Sequence, residues 1–156
     1  MPPVIRPYRP EDRAAAALIY YRAIMEGTAP HLGLAERTAW ARSPEPDLSK
    51  PDKLLDQWCW IAEEDGRPTG FMSLCPDGLL DMAFVIPEVM GKGTAGALYD
   101  ALLAKARTEG LTRLTVLASA WSRGFLLKRG WQIDEAGMKE FDGFLYHLSS
   151  MSLSPV

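Results

Sequence analysis

Apolar and polar positions along this chain alternate between two periods, and the switches mark its elements. Residues 4–8 alternate apolar and polar, which predicts a first strand. Pro10, Glu11 and Asp12 then open a helix, because proline fits a first turn and acids suit the positive end of the helix dipole. Ala14, Ala17, Leu18, Tyr21 and Met25 form one apolar stripe, and Gly27 stops it. Residues 28–57 are the least regular part. There 34–42 and 51–57 read as short helices around a solvated, proline-rich and acidic loop at Ser43-Pro44-Glu45-Pro46-Asp47. Residues 59–62 and 69–74 read as strands joined through the turn pair Asp65-Gly66. Cys75-Pro76-Asp77-Gly78 then turns the chain into 79–85, an apolar run with the pattern of a strand covered on both faces.

Beyond that strand, Ala95, Leu98, Tyr99, Leu102, Leu103 and Ala106 recur at helical spacing, and Gly110 is placed to cap the helix. Residues 111–118 form the next strand. A helix separates it from 79–85, so the two are expected to be parallel neighbours. Residues 119–129 read as a short helix with Phe125 and Leu126 turned inward, and Asp142-Gly143 closes a hairpin of 138–141 with 144–148. The tail, 149–156, has no clear period and is expected to fray. The result is one α/β (α+β) domain over 1–156, with a mixed, mostly antiparallel sheet of six or seven strands and helices on both faces.

The most specific stretch is Gly91-Lys92-Gly93-Thr94-Ala95-Gly96, which lies between a strand and an amphipathic helix. A helix start carries N–H groups without internal partners, and glycines let a large anion approach them. The P-loop reading fails, since Gly93 follows Lys92 where Ser or Thr is required. The dinucleotide fingerprint matches by letter only. Its first glycine comes too late after the strand, and Val116-Leu117-Ala118-Ser119 stands where an acid is expected. A third reading rests on Met90-Gly91-Lys92-Gly93-Thr94-Ala95, which resembles motif A of the GNAT superfamily of acetyl-CoA-dependent N-acetyltransferases, with Met90 where that motif has Gln or Arg; a glycine-rich turn with no ligand is its structural alternative. Residues 119–131 resemble motif B of the same superfamily. Gly130 and Trp131 match its closing glycine and aromatic, Ser119 stands at its Asn position and Leu126 at its usual Tyr.

This resemblance implies a GNAT-like fold whose parallel pair, 79–85 and 111–118, splays at one end. It implies acetyl-CoA as acetyl donor, with its pantetheine arm along the backbone of Phe84 and Val85. The pyrophosphate would rest on Gly91, Lys92, Gly93, Thr94, Ala95 and Gly96, with Ser119 and Phe125 also at the donor. A small-molecule amine, or a protein amine, would attack the thioester directly. Asp81, set inside an apolar strand beside the implied thioester, is the first candidate base, and an acid paired with a basic neighbour is its structural alternative. His31 is the second candidate base, or a surface residue. Tyr20 and Trp40 either line the acceptor pocket or belong to surface and core. Leu126 cannot protonate a leaving thiolate. Met90 and Leu126 together are the support for an alternative, a non-catalytic acyl-CoA-binding or sensing module.

Composition narrows the picture further. The chain has 156 residues, 47% of them hydrophobic and 24% charged, enough for a buried core. A net charge of −3 argues against nucleic acid as a partner. Cys59 and Cys75 have no metal spacing, so no metal site is expected and reduced thiols are favoured over a cross-strand disulfide. No apolar run is long enough to cross a bilayer and the first residues lack a signal core, so a cytoplasmic protein without membrane contact is expected. A homodimer is left open.

Overall fold

The computed structural model describes residues 2–156. Its first strand, β1 (Val4–Pro7), leads through a 3-10 turn at Pro10–Asp12 into α1 (Arg13–Arg22). The helix widens into a π-helical turn over Ala23–Gly27, and a short α2 (Leu34–Trp40) follows. Three antiparallel strands come next: β2 (Trp58–Glu64), β3 (Arg67–Leu74) and β4 (Leu79–Val85). The remaining elements are α3 (Thr94–Thr108), β5 (Leu114–Ser119), α4 (Arg123–Leu127), β6 (Gln132–Phe141) and β7 (Phe144–Leu153).

All seven strands form one sheet in the order β1-β2-β3-β4-β5-β7-β6, in which only β4 and β5 run parallel. A core lies on each face. Leu98, Leu102 and Ala106 of α3 pack with Leu74, Leu80 and Leu114 on one side. Ala16 and Ile19 of α1 pack with Ile61 and Phe71 on the other. The end of α3 is a Schellman cap: Gly110 takes φ +74°, and the N–H of Leu111 donates to the carbonyl of Ala106 at 3.0 Å. That cap uses 111–113 to turn the chain, so β5 begins at Leu114, later than the hydrophobic run suggests.

The tail departs from expectation. Ser149 to Leu153 do not fray but complete β7, which pairs with β5 on one side and β6 on the other. Strand pairing replaces the missing period, because Ser149, Met151 and Ser152 are all buried and the serines spoil the apolar alternation. The closing hairpin is correspondingly longer than 138–141 with 144–148. Its outer strand, β6, is exposed throughout and carries Asp134, Glu135, Lys139 and Glu140, charges that suit a sheet edge. Residues 51–57 form only a 3-10 turn, Lys53–Asp56, capped by Asp52, whose carboxylate accepts from Leu54 N–H at 3.1 Å and from the Tyr8 hydroxyl at 2.6 Å. Cys59 and Cys75 are both free thiols, and burial pushes the Cys59 thiol up to about 12.

Candidate acyl-transfer site

The site begins as a defect in strand pairing. β4 and β5 are in register only at Leu79–Thr115 and Leu80–Val116. At the next residue β4 bulges: Leu74 faces Leu80 and Ser73 faces Met82, so Asp81 has no opposite number. A bulge bends its strand and re-aims the side chains beyond it. Leu80 accordingly joins the α3 core, whereas Met82 and Phe84 pack toward α1. From Asp81 onward β4 leaves β5, and β5 stays with β7 through Ser119.

The gap exposes two backbone edges. Ile86 N–H donates to Thr69 O at 2.9 Å across β3, and Met82 N–H donates to Ser73 Oγ at 3.2 Å. By alternation the backbone of Phe84 is also turned to β3, and that of Ala83 and Val85 to the gap. The expectation for Phe84 is thereby corrected: it presents its ring to the site, edge-on to Tyr20 with centroids 4.8 Å apart, and not its backbone. On β5, Thr115 N–H donates to Gly78 O at 2.9 Å, which leaves Leu117 and Ser119 facing the gap.

A cavity of about 530 Å³ fills the wedge. At its wide end lies the glycine-rich turn. Gly91 and Gly93 sit at φ +76° and +88°, a region L side chains rarely adopt, and a Cβ on either would stand in open space. Gly93 is the N-cap of α3. Among the described residues, the N–H groups of Gly91, Gly93, Thr94, Ala95 and Gly96 meet no protein acceptor, and the buried Thr94 Oγ1 also lacks a partner. These are the features of a cradle for phosphate oxygens, so an acyl-CoA fits the residues present. Gly91 and Ala95 face the cavity, whereas Lys92 is exposed outside it.

Two residues complete the cradle in ways the motif does not show. Met90 lines the cavity, with its methyl lying where a Cβ on Gly27 would be. Arg129 comes in from the far side. Its guanidinium lies 3.6 Å over the Phe125 ring and donates to Phe125 O at 3.1 Å, with Nη2 3.1 Å from the place a Cβ on Gly96 would take. Gly96 thus makes room for an arginine. Arg129 has no acidic partner among the described residues and stands at the positive end of α3, an arrangement that favours an anion between them.

Another wall is aromatic. His31, Trp40 and Trp121 line it with Tyr20, and the ring centroids of Trp40 and Trp121 are 5.6 Å apart. The Tyr20 hydroxyl donates to Trp40 O at 3.2 Å, and burial pushes its pKa up to about 12. Asp81 also lines this cavity. Its Oδ2 accepts from Gln57 Nε2 at 2.9 Å and pairs with Lys53 Nζ at 3.0 Å, so the structural alternative for Asp81 has its partner. Lys53 is 61% exposed and lines a separate cavity of about 320 Å³ behind Tyr20 and Met82. Ser119 Oγ lies 2.9 Å from Ser122 Oγ on the opposite wall. Both candidate bases, Asp81 and His31, therefore face one space with Tyr20, Trp40, Val85, Gly91, Ala95, Ser119 and Phe125. Trp121, Arg129 and the edge of Ala83 were not legible as site residues. Trp121, an aromatic two residues beyond a strand that ends at the gap, was the one with a readable signal.

A splayed parallel pair that ends on a glycine-capped helix meets a specific match. The family model for the acetyltransferase (GNAT) domain covers residues 52–153. The chain belongs to the GNAT acetyltransferase family. It is an acyltransferase. An uncharacterized N-acetyltransferase of Escherichia coli, YafP, is 33% identical over 128 residues, 82% of this chain and 80% of that protein. A crystal structure of a GCN5-related N-acetyltransferase from Rhodopseudomonas palustris is also 33% identical. It superposes with a TM-score of 0.89 over 99% of this chain and 96% of that one. The acetyltransferase yncA from Salmonella typhimurium, solved with acetyl-CoA, has the same fold at 20% identity and a TM-score of 0.69, over 100% of this chain and 95% of that one. No helix of the described residues is long and apolar enough to cross a membrane, and no group of three His, Cys, Asp or Glu among them could hold a metal.

Proposed function

We propose that this GNAT enzyme moves the acetyl group of acetyl-CoA to a primary amine by direct attack in the wedge between β4 and β5. The observation that carries the reading is the single cavity that runs from the glycine cradle, past an unpaired strand edge, to Asp81. The N–H groups at Gly91 and 93–96, with Arg129, hold the donor's phosphates. The edge of Ala83 and Val85 receives the pantetheine amides as an added strand would. The Ala83 N–H is fixed in place before any charge forms, which is what makes a backbone donor effective toward a developing oxyanion. Acetyl-CoA supplies an activated acyl group, and the protein's remaining task is a neutral nucleophile. An alkylamine of pKa about 10.4 is neutral in only a fraction on the order of 1 in 2,000 at pH 7. Asp81 takes its proton once the flexible Lys53 swings aside, with His31 as second candidate.

Asp81→Asn tests this. Acetyl-CoA affinity should be retained, because the donor's contacts on β4 are backbone ones. Turnover should fall by roughly 10²- to 10⁴-fold, the usual worth of a positioned base. The defect should shrink toward pH 10, where the amine arrives neutral. A defect of equal size at every pH, together with a lower Tm, would leave Asp81 as Lys53's structural partner and pass the role to His31.

A further inference from the structure

The wall of the acceptor end has a chemistry of its own. Its rings are held in place: Trp40 meets the buried Tyr146 edge-on with centroids 4.6 Å apart, and His31 lies 6.1 Å from Trp121. The Tyr20 hydroxyl is fixed on the Trp40 carbonyl. Among the described residues no lysine or arginine lines this cavity, and Asp81 is its only carboxylate. Three cations of neighbouring elements have partners of their own. Arg37 donates to the carbonyls of Met25 and Leu32, Arg42 pairs with Asp142, and Lys53 reaches Asp81 from the other cavity.

Resting on the acetyltransferase reading, we infer that the acceptor is an arylalkylamine: a primary amine on a short linker to an aromatic ring, without a carboxylate. Aromatic walls offer stacked and edge-on contacts to a ring and their faces to an ammonium. An amino acid would bring its carboxylate into a space whose one nearby ammonium, Lys53, is already paired with Asp81, and would set a second carboxylate beside that pair. A polyamine would bring several ammonium groups to a single carboxylate. In the step itself, the amine nitrogen forms a bond to the thioester carbonyl carbon and the C–S bond breaks with its electron pair on sulfur. The nitrogen's proton passes to Asp81, and sulfur is protonated from water, leaving the N-acetylated amine and CoA thiol.

Calorimetry with acetyl-CoA comes first, and absence of binding would remove the acetyltransferase reading and this inference together. Thiol release is then measured with 2-phenylethylamine, tyramine and tryptamine, with phenylalanine, tyrosine and tryptophan, and with spermidine. Each amine and its amino acid differ only by the carboxylate. We expect kcat/KM for an amine to exceed that of its amino acid by roughly 100-fold or more, since a buried group left unpaired is rejected strongly. Trp121→Leu should raise KM for the preferred amine roughly tenfold and leave acetyl-CoA affinity unchanged. Equal or better use of the amino acids, preference for spermidine, or acetyl-CoA binding with no arylalkylamine acetylated would each overturn the inference and leave the acetyltransferase reading standing.

Discussion

Gly93, at φ +88° with open space where a Cβ would stand, is the most exacting single residue of the donor site. Any L side chain there is strained, and a branched one also covers the N–H groups of α3's first turn. Gly93→Val should weaken acetyl-CoA binding by roughly 100-fold or more, since two charge-assisted hydrogen bonds at about 1.5–3 kcal/mol each correspond to at least that factor. Wild-type affinity in calorimetry would show the cradle to be elsewhere. Arg129 tests the other wall. It is stacked on Phe125 and has no acidic partner among the described residues, so Arg129→Gln should cost about tenfold in acetyl-CoA affinity, weaken the salt dependence of binding and leave the Tm nearly unchanged. A drop in Tm without loss of affinity would make Arg129 a packing residue only.

Among the elements, β7 carries more than its composition suggests. It is ten residues long and lies second from the sheet edge, between β5 and β6. Its second half, through Leu153, satisfies the backbone of 114–118 and buries Met151 at 1% exposure. A chain ending at residue 148 would expose the open edge of β5 and leave the first turns of β6 unpaired. We expect that truncation to abolish cooperative thermal unfolding by circular dichroism, while removal of only 155–156, beyond the strand, should leave it intact. The bulge in β4 acts in the opposite direction: it removes pairing, and the lost ladder between β4 and β5 becomes the binding edge.

Taken whole, the molecule is two cores on one sheet, and a buried acid-sensitive ion pair lies near the first strand. Asp12 is buried and accepts from Nη1 and Nη2 of Arg6, at 2.8 and 2.7 Å, and from Arg9 N–H at 2.7 Å. Arg6 also reaches Glu63 on β2, at 2.6 Å, so the cluster ties α1's entry to the sheet. The Arg6 hydrogen bonds hold the Asp12 carboxyl below its ordinary range, against the opposing effect of burial. A depressed folded-state pKa contributes stability above the unfolded value of about 3.9, and that contribution is lost as pH falls through the folded value. Asp12→Asn should therefore cost about 2–3 kcal/mol at pH 7 in urea unfolding, with the gap from wild type closing as the pH falls below the ordinary carboxylate value of about 3.9. A gap independent of pH would assign the loss to packing.

By itself the sequence determined the order of elements, the Asp-Gly hairpins, the helix that follows Gly93 and the parallel placement of 79–85 and 111–118. Each of these follows from local periods, turn residues or the handedness of a strand–helix–strand connection. The glycine cradle was legible for the same reason, because positive φ is a property of neighbouring residues alone. Only the tertiary structure decided that Ser149 to Leu153 are strand, since their burial comes from β5 and β6 on either side. It also decided that Phe84 gives its backbone to β3, because that follows from register, and register from the bulge at Asp81. Arg129 over Gly96 and Trp121 beside Trp40 join residues distant along the chain through packing. No local pattern records such contacts, and they set what the site accepts.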